Sequence, residues 1–268
     1  MKQQQHFTTW EKLERHLREM AESNALAGKL DLGYYSDLLF RGQSNAKWSL
    51  ETTLERVGRN STRIAEYYRA VAVAKTQIET FTNRTWGEID YQKTLELFQN
   101  YDSLHFSNFP SYDFLVYLRH HGFPSPLLDW SRSLYVAAFF AFNAAKSDRV
   151  ALFVYQEHGG SGKFGSSAEA QIKALGPNVR SHPRHFLQQG EYTICCQFTD
   201  GAWDFSPHSR VFEKANEAQD KLWKFTVPAS ESVKVMKRLN EYNINAFSLF
   251  RSEESLMSSL ATRIFPLQ

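Results

Sequence analysis

Residues 115–141, LVYLRHHGFPSPLLDWSRSLYVAAFFA, constrain the fold more than any other stretch. An apolar, helix-like run meets a His-His-Gly-Phe-Pro break. A short buried-strand pattern follows and closes on Asp129-Trp130-Ser131, and an Ala/Phe-rich helix then runs from Ser133 to Ala145. Polar groups able to bind or catalyse are thereby packed between apolar elements. Burying an Asp and a His alone costs several kcal/mol, so these groups need partners from elsewhere in the chain.

The rest of the chain has the material for such a core. Of its 268 residues 42% are hydrophobic and 15% aromatic, which argues against wholesale disorder. The formal net charge of +2 neither demands nor excludes a nucleic-acid partner. The two cysteines, Cys195 and Cys196, are adjacent. That spacing supports neither a disulfide framework nor a Cys-based zinc site, and it fits a reducing cytoplasm. The start, MKQQQHFTTWEKLERHLREM, is polar and amphipathic with no signal-peptide core. No run approaches about eighteen apolar residues, so no membrane partner is expected.

Periodicity and breakers predict helices at about 9–24, 61–83, 93–104, 114–120, 230–239 and 253–262. Strands are predicted at Leu38–Gly42, Arg149–Tyr155, Glu191–Phe198 and Leu222–Val227, with a flexible loop at 158–167. Helices interleaved with isolated strands point to a single α+β domain rather than a regular βαβ repeat.

Three polar constellations stand out. The first is Phe40-Arg41-Gly42-Gln43 at the end of a strand, where Arg41 offers a planar fork suited to phosphate or carboxylate and Gly42 admits a ligand to the backbone. The bland reading is an Arg paired to a carboxylate. The second runs from His120-His121-Gly122 to Asp129-Trp130-Ser131. His can serve as acid, base or ligand, and Asp129 either orients a partner or caps the following helix. The third is Arg184 to Tyr192, RHFLQQGEY, in which period two puts Gln189 and Glu191 on one strand face. Its bland reading is a solvated strand edge. No G-x-S-x-G elbow, Walker loop, G-x-G-x-x-G or H-E-x-x-H is present, so no metal is expected.

Phe40-Arg41-Gly42-Gln43, with Trp48-Ser49-Leu50 and Arg56, resembles the opening of the FRG domain family, named for its Phe/Tyr-Arg-Gly signature. Residues 121–131, HGFPSPLLDWS, with Ala137, Ala138, Phe140 and Ala141, look like its central motif. Arg184, Gln188, Gln189 and Gly190 resemble its third block, and 244–260 its C-terminal segment, so the resemblance covers about 36–262. The family usually has Thr and Arg where this chain has Ser125 and Pro126, and often an apolar residue at Glu191. The resemblance implies an N-terminal helical segment over 1–35 and an FRG-like α+β catalytic domain over 36–268.

The order Arg-Gly strand, hydroxyl before an Ala-x-x-Phe helix, then Gln-x-Glu is also similar to ADP-ribosyltransferases of the Arg-Ser-Glu type. That second resemblance implies a split mixed or antiparallel sheet of ADP-ribosyltransferase-like type with flanking helices, and NAD as co-substrate. Arg41 would anchor the pyrophosphate or ribose, and Gly42, Gln43, His121, Trp130 and Ser131 would line the NAD site. Glu191 would stabilise the oxocarbenium-like transition state and Gln189 would orient the acceptor. Asp129, Arg184 and Gln188 would support them. The expected protein is a cytoplasmic toxin or phage-defence effector acting on a macromolecule. Single-stranded RNA is the acceptor favoured, stacked on Tyr34, Tyr35, Trp48 or Trp203, and an antitoxin is an expected partner. Two alternatives stay open. One is an NAD-independent nuclease using His121, Asp129 and Arg41. The other is a non-catalytic binding module with Arg41 and Asp129 as a buried ion pair.

Overall fold

The computed structural model describes residues 3–30, 33–102, 109–145, 147–166, 168–213 and 219–265. In chain order the elements begin β1 (Gln3–His6), α1 (Trp10–Leu30), β2 (Leu39–Gln43), α2 (Thr53–Arg56), β3 (Thr62–Arg63), α3 (Ile64–Thr82) and α4 (Tyr91–Gln99). They continue through α5 (Tyr112–His120), β4 (Leu128–Ser131), α6 (Leu134–Phe142), β5 (Arg149–His158), β6 (Gln171–Ala174), α7 (Pro183–Leu187) and β7 (Gly190–Thr199). The last are β8 (Ala202–Phe205), α8 (Ser209–Glu213), β9 (Gln219–Pro228), α9 (Ser232–Glu241), α10 (Ala246–Phe250) and α11 (Glu253–Ile264). Residues 103 and 104, where the helix expected at 93–104 would end, lie outside the described residues.

Local chemistry explains the ends. Asp90 accepts from Gln92 N and Lys93 N to start α4, and Thr52 with Glu55 forms a capping box on α2. At α6 the cap is Ser133, accepting from Val136 N, so Asp129 is not the capping residue. Helix α6 is apolar on every side, and a helix of that kind is stable only when neighbours surround it. It lies over β2, where Gly42 meets it.

The strands form one mixed sheet in the order β1-β9-β5-β2-β4-β7-β8-β3, with β6 also on β7. Among the described residues, only β1 runs parallel to its neighbour, β9, and the other pairings are antiparallel. The N-terminal segment thus contributes a strand as well as the expected helix. Two halves, β1-β9-β5-β2 and β4-β7-β8-β3, are joined at the centre. Among the described residues, β2 and β4 are in register at Phe40 and Ser131 alone.

Side-chain alternation sorts the core into layers. On one face, Phe40, Leu152, Val154 and Phe225 pack with Trp10, Leu13 and Leu17 of α1, with α6, and with Val235 and Leu239 of α9. On the same face of the other half, Tyr192, Ile194 and Cys196 pack with α3, Phe98 of α4 and α5. The opposite face carries a smaller cluster including Leu39, Leu128, Trp130, Phe153, Tyr155 and Phe212 of α8. The two large cores sit side by side, and the seam between them runs over the β2–β4 junction.

Candidate functional site

At that seam lies a cleft of about 310 Å³. Strand β2 brings Arg41 and Gln43, the following loop Trp48, and α2 Arg56; Arg119 and His120 come from the last turn of α5, Asp129 and Ser131 from β4. Its lining holds three guanidiniums, Arg41, Arg56 and Arg119, against one carboxylate, Asp129. Register explains the assembly. Asp129 pairs with Tyr192 and Ser131 with Gly190, so all four point to the helix-bearing face.

Asp129 is the hub. Its Oδ1 accepts from Arg41 Nη1 and from Arg119 Nη2, and its backbone oxygen accepts from Arg41 Nη1 at 2.6 Å. Burial alone would raise the Asp129 carboxyl, but Arg119 and Arg41 outweigh it and hold it well below the usual carboxylate range. The Arg41 and Arg119 side chains are 11% and 17% exposed, whereas that of Asp129 is 39% exposed and lines the cleft. Both Nε atoms, of Arg41 and of Arg119, are buried with no hydrogen-bond partner.

Beside this cluster, His120 Nε2 and Tyr192 Oη lie 2.7 Å apart, and His185 Nδ1 is 3.2 Å from the same oxygen. Burial pushes His120 down to about 4, so the ring is neutral at pH 7 and acts as a hydrogen-bonding group. The cleft histidine is therefore His120. His121, expected to line the NAD site, is exposed and lies tilted against Tyr117, with ring centroids 4.3 Å apart.

Other expected residues have structural duties. Ser131 Oγ donates to Gln188 O at 2.8 Å and accepts from Ser133 N at 3.0 Å, so the hydroxyl is engaged inside the fold. Gln188 is buried and its Nε2 donates to Leu249 O at 3.1 Å. Arg184 donates to His120 O and stacks over Phe250, tying α7 to α5 and α10. Trp130 borders the cleft, but its ring stacks on Tyr155 and its Nε1 donates to Thr193 Oγ1. The constraint at Gly42 comes from α6 rather than from a ligand: a Cβ there would sit 1.9 Å from Ala137 O and 2.6 Å from Ala141 N. Of the aromatic residues expected to stack RNA, Tyr34 and Trp48 are exposed while Trp203 is buried.

Gln189 and Glu191 do not share a strand face. Gln189 precedes β7 with φ 49°, is exposed, and accepts from Arg132 N through its carbonyl. The period-two argument fails because the strand begins one residue later, at Gly190. Glu191 pairs with Trp130 and faces the opposite side of the sheet from Tyr192. There it lines a second cavity of about 330 Å³ with Tyr34, Tyr35, Asp37, Arg132 and Glu157. Burial pushes its carboxyl up; Arg132 lowers it, while Asp37 and Glu157 raise it further. Arg41 and Ser131 are thus brought together, and Glu191 lies on the other side of the sheet.

Arg119 was not singled out from the sequence; His120 and Tyr192 stand in the second and third polar stretches, but the site residues expected from those stretches were His121 and Glu191. A signal existed: a buried Asp on a central strand needs a cation, and Arg119 closes the apolar helix just before the His-Gly-Phe-Pro break. Among the described residues, no group of His, Cys, Asp and Glu has an arrangement that could hold a metal ion, and no helix is long and apolar enough to cross a membrane.

Comparison with known proteins returned one family. The family model of the FRG domain matches residues 36–149. Neither the characterised proteins nor the solved structures gave a match. The matched segment supplies all of the cleft lining except Gln188, Gly190 and Tyr192. The segment of the chain that matches the FRG domain family is thus residues 36–149, which hold the Phe40-Arg41-Gly42 signature and the Asp129-Trp130-Ser131 strand.

Proposed function

We propose that the cleft binds a nucleotide through its phosphates, with NAD as co-substrate, and that the protein transfers ADP-ribose to a macromolecular acceptor, RNA being favoured. The observation that carries the reading is the charge of the cleft: three guanidiniums against one carboxylate, in a recess walled by two cores. Low-polarity walls strengthen such a field, and guanidinium forks match phosphate oxygens. The orphaned Nε atoms of Arg41 and Arg119 are donors in want of acceptors. The division of the sheet at β2–β4 agrees with the ADP-ribosyltransferase-like core that the resemblance implies.

Cleaving the ribose–nicotinamide bond builds positive charge on the ribose, which a nearby carboxylate stabilises. The carboxylate that a ligand in the cleft reaches is Asp129, held ionised and open to solvent on one side. Glu191 faces the other cavity, and this reading leaves it out of the transfer step.

The test is calorimetric titration of the purified protein with ADP-ribose and NAD, followed by nicotinamide release and label transfer to total RNA and protein. Binding, release and transfer are expected, with transfer lost in Asp129→Asn protein that circular dichroism shows folded. Folded wild type that neither binds ADP-ribose nor releases nicotinamide overturns the reading.

A second reading has its own observation: Arg41, Asp129 and Arg119 form a hydrogen-bonded ionic cluster at the centre of the fold. A non-catalytic module organised by that cluster predicts that Arg41→Ala lowers the melting temperature while the wild type turns over no NAD.

A further inference from the structure

We infer that Gln43 and Trp48 select the ring of the bound nucleotide: Gln43 Oε1 accepts from an amino group on that ring, and the part-exposed Trp48 at the rim of the cleft packs against it. The inference rests on the nucleotide reading above and names the part of the ligand that the arginines do not recognise.

Gln43 ends β2, lines the cleft and is 4% exposed. Its Nε2 donates to Ser49 O at 3.1 Å. That bond fixes which end of the amide is which, because a flip would set oxygen against oxygen. Oε1 is left buried with no donor. A buried acceptor without a partner is rare in folded proteins, and at a ligand cleft it points to a donor carried by the ligand. Arginine side chains cannot make this distinction, since they carry donors only.

The same bond places the ring. Ser49 follows Trp48, so one hydrogen bond anchors both the reading oxygen and the loop carrying the indole. Trp48 is 40% exposed and borders two spaces, the arginine cleft and an adjoining hollow of about 410 Å³ with Lys47, Glu51 and Arg56. Aromatic side chains with an exposed face stack any base, and hydrogen bonds to its edge confer the selectivity. The cleft of about 310 Å³ lies at the small end of the range for ligand pockets, a size suited to one nucleotide unit. The rest of a dinucleotide would run past Trp48 and Arg56 into the hollow.

NAD carries the required chemistry, an –NH₂ group on a flat heteroaromatic ring, at both ends: the adenine amino group and the nicotinamide carboxamide. Titrations of the unmodified full chain separate the sources. The ligands are pyrophosphate, ADP against purine riboside diphosphate, and nicotinamide mononucleotide against nicotinic acid mononucleotide. In one pair the amino-bearing member binds about tenfold tighter, and which pair responds identifies the ring. For the nicotinamide pair the preference would run against charge, since the acid is the more anionic ligand. Gln43→Met abolishes the preference and retains pyrophosphate binding. Trp48→Ala weakens every nucleotide by about tenfold without weakening pyrophosphate.

If pyrophosphate binds wild type and both pairs bind without preference, Gln43 Oε1 is satisfied by a trapped water and this inference is overturned while the nucleotide reading stands. If neither pyrophosphate nor any nucleotide binds, both fall. The ligand series on wild type decides the matter even where a variant fails to fold.

Discussion

Two cavities of nearly equal size, about 310 and 330 Å³, lie on opposite faces of the sheet at its central junction. Consecutive residues of β7 divide between them: Gly190 and Tyr192 look into the arginine cleft, Glu191 into the other cavity. The first gathers three guanidiniums around one carboxylate. The second gathers Asp37, Glu157 and Glu191 with Arg132. Strand alternation alone makes this division, so neighbours in sequence have opposite electrostatic surroundings. The carboxyls show it: Asp129 is held below its ordinary range by Arg119 and Arg41 despite burial, while burial and like charge push Glu191 up. A site deduced by stringing together Arg41, Ser131 and Glu191 therefore spans two places that share a strand.

The largest effect comes from breaking the hub of the positive side. Asp129→Ala leaves the Arg41 and Arg119 guanidiniums facing each other with little access to water. Removing one partner from a buried ionic group costs on the order of 3–5 kcal/mol. Urea unfolding should show a loss of that size, with an unchanged slope. A loss below about 1 kcal/mol would mean that the cluster is well solvated and that the contrast between the cavities is weak.

Next is the wall that separates the cleft from the helical core. Gly42→Ala sets a methyl carbon 1.9 Å from Ala137 O, which is backbone of α6 and cannot swing away. Strand and helix must part, at a cost of about 1–3 kcal/mol. Phosphate affinity in the cleft should fall together with the melting temperature. If stability drops and binding does not, α6 is not a working wall of the cleft.

How much of this was legible in the sequence follows from the same alternation. The long periodic helices and the strands with strong apolar runs, β5, β7 and β9, were readable because their patterns are local. Strand β1, Gln-Gln-Gln-His, has no apolar pattern and exists because β9 offers it an edge. Strand β8 carried a signal that went unused: Asp200-Gly201 sit between β7 and β8 with φ 48° and 76°, the backbone that a tight hairpin requires. In the cleft, Arg41 and Asp129 were readable from residue type and setting. Arg119 was not, and the choice of His120 over its neighbour His121 was not, because both depend on where the end of α5 meets β4. Gln189 and Glu191 were misread by one residue, and one residue is the whole difference between faces.

Acid separates the cavities by sign. His120 has its folded-state value lowered to about 4 from an ordinary 6.5, so the unfolded chain takes up the proton first. Stability is therefore complete above about 6.5 and is lost as pH falls toward 4. Asp129, held low, adds a further loss below the ordinary carboxylate range. Denaturant midpoints measured from pH 7 to 4 should decline steadily, and His120→Gln should flatten that decline. An unchanged decline in the variant would move the cause to His182 and His208, whose rings burial lowers to about 4 and about 3.

Glu191→Gln is expected to have the smallest effect, and it tests the other face. Because the folded state raises this carboxyl, the native protein keeps a proton that the unfolded chain has released, and stability falls as pH rises through that window. At neutral pH an ionised group is then confined beside Asp37 and Glu157, with Arg132 as partial relief. A neutral amide of the same shape removes that conflict, so Glu191→Gln should be slightly more stable than wild type at pH 7, within about 1 kcal/mol. The gain should disappear below about pH 4, where the carboxyl is protonated in both states. Pyrophosphate affinity of the arginine cleft should be unchanged, since the strand backbone stands between them. A marked change in that affinity would mean that the two cavities act on one ligand, and would return Glu191 to the reacting centre.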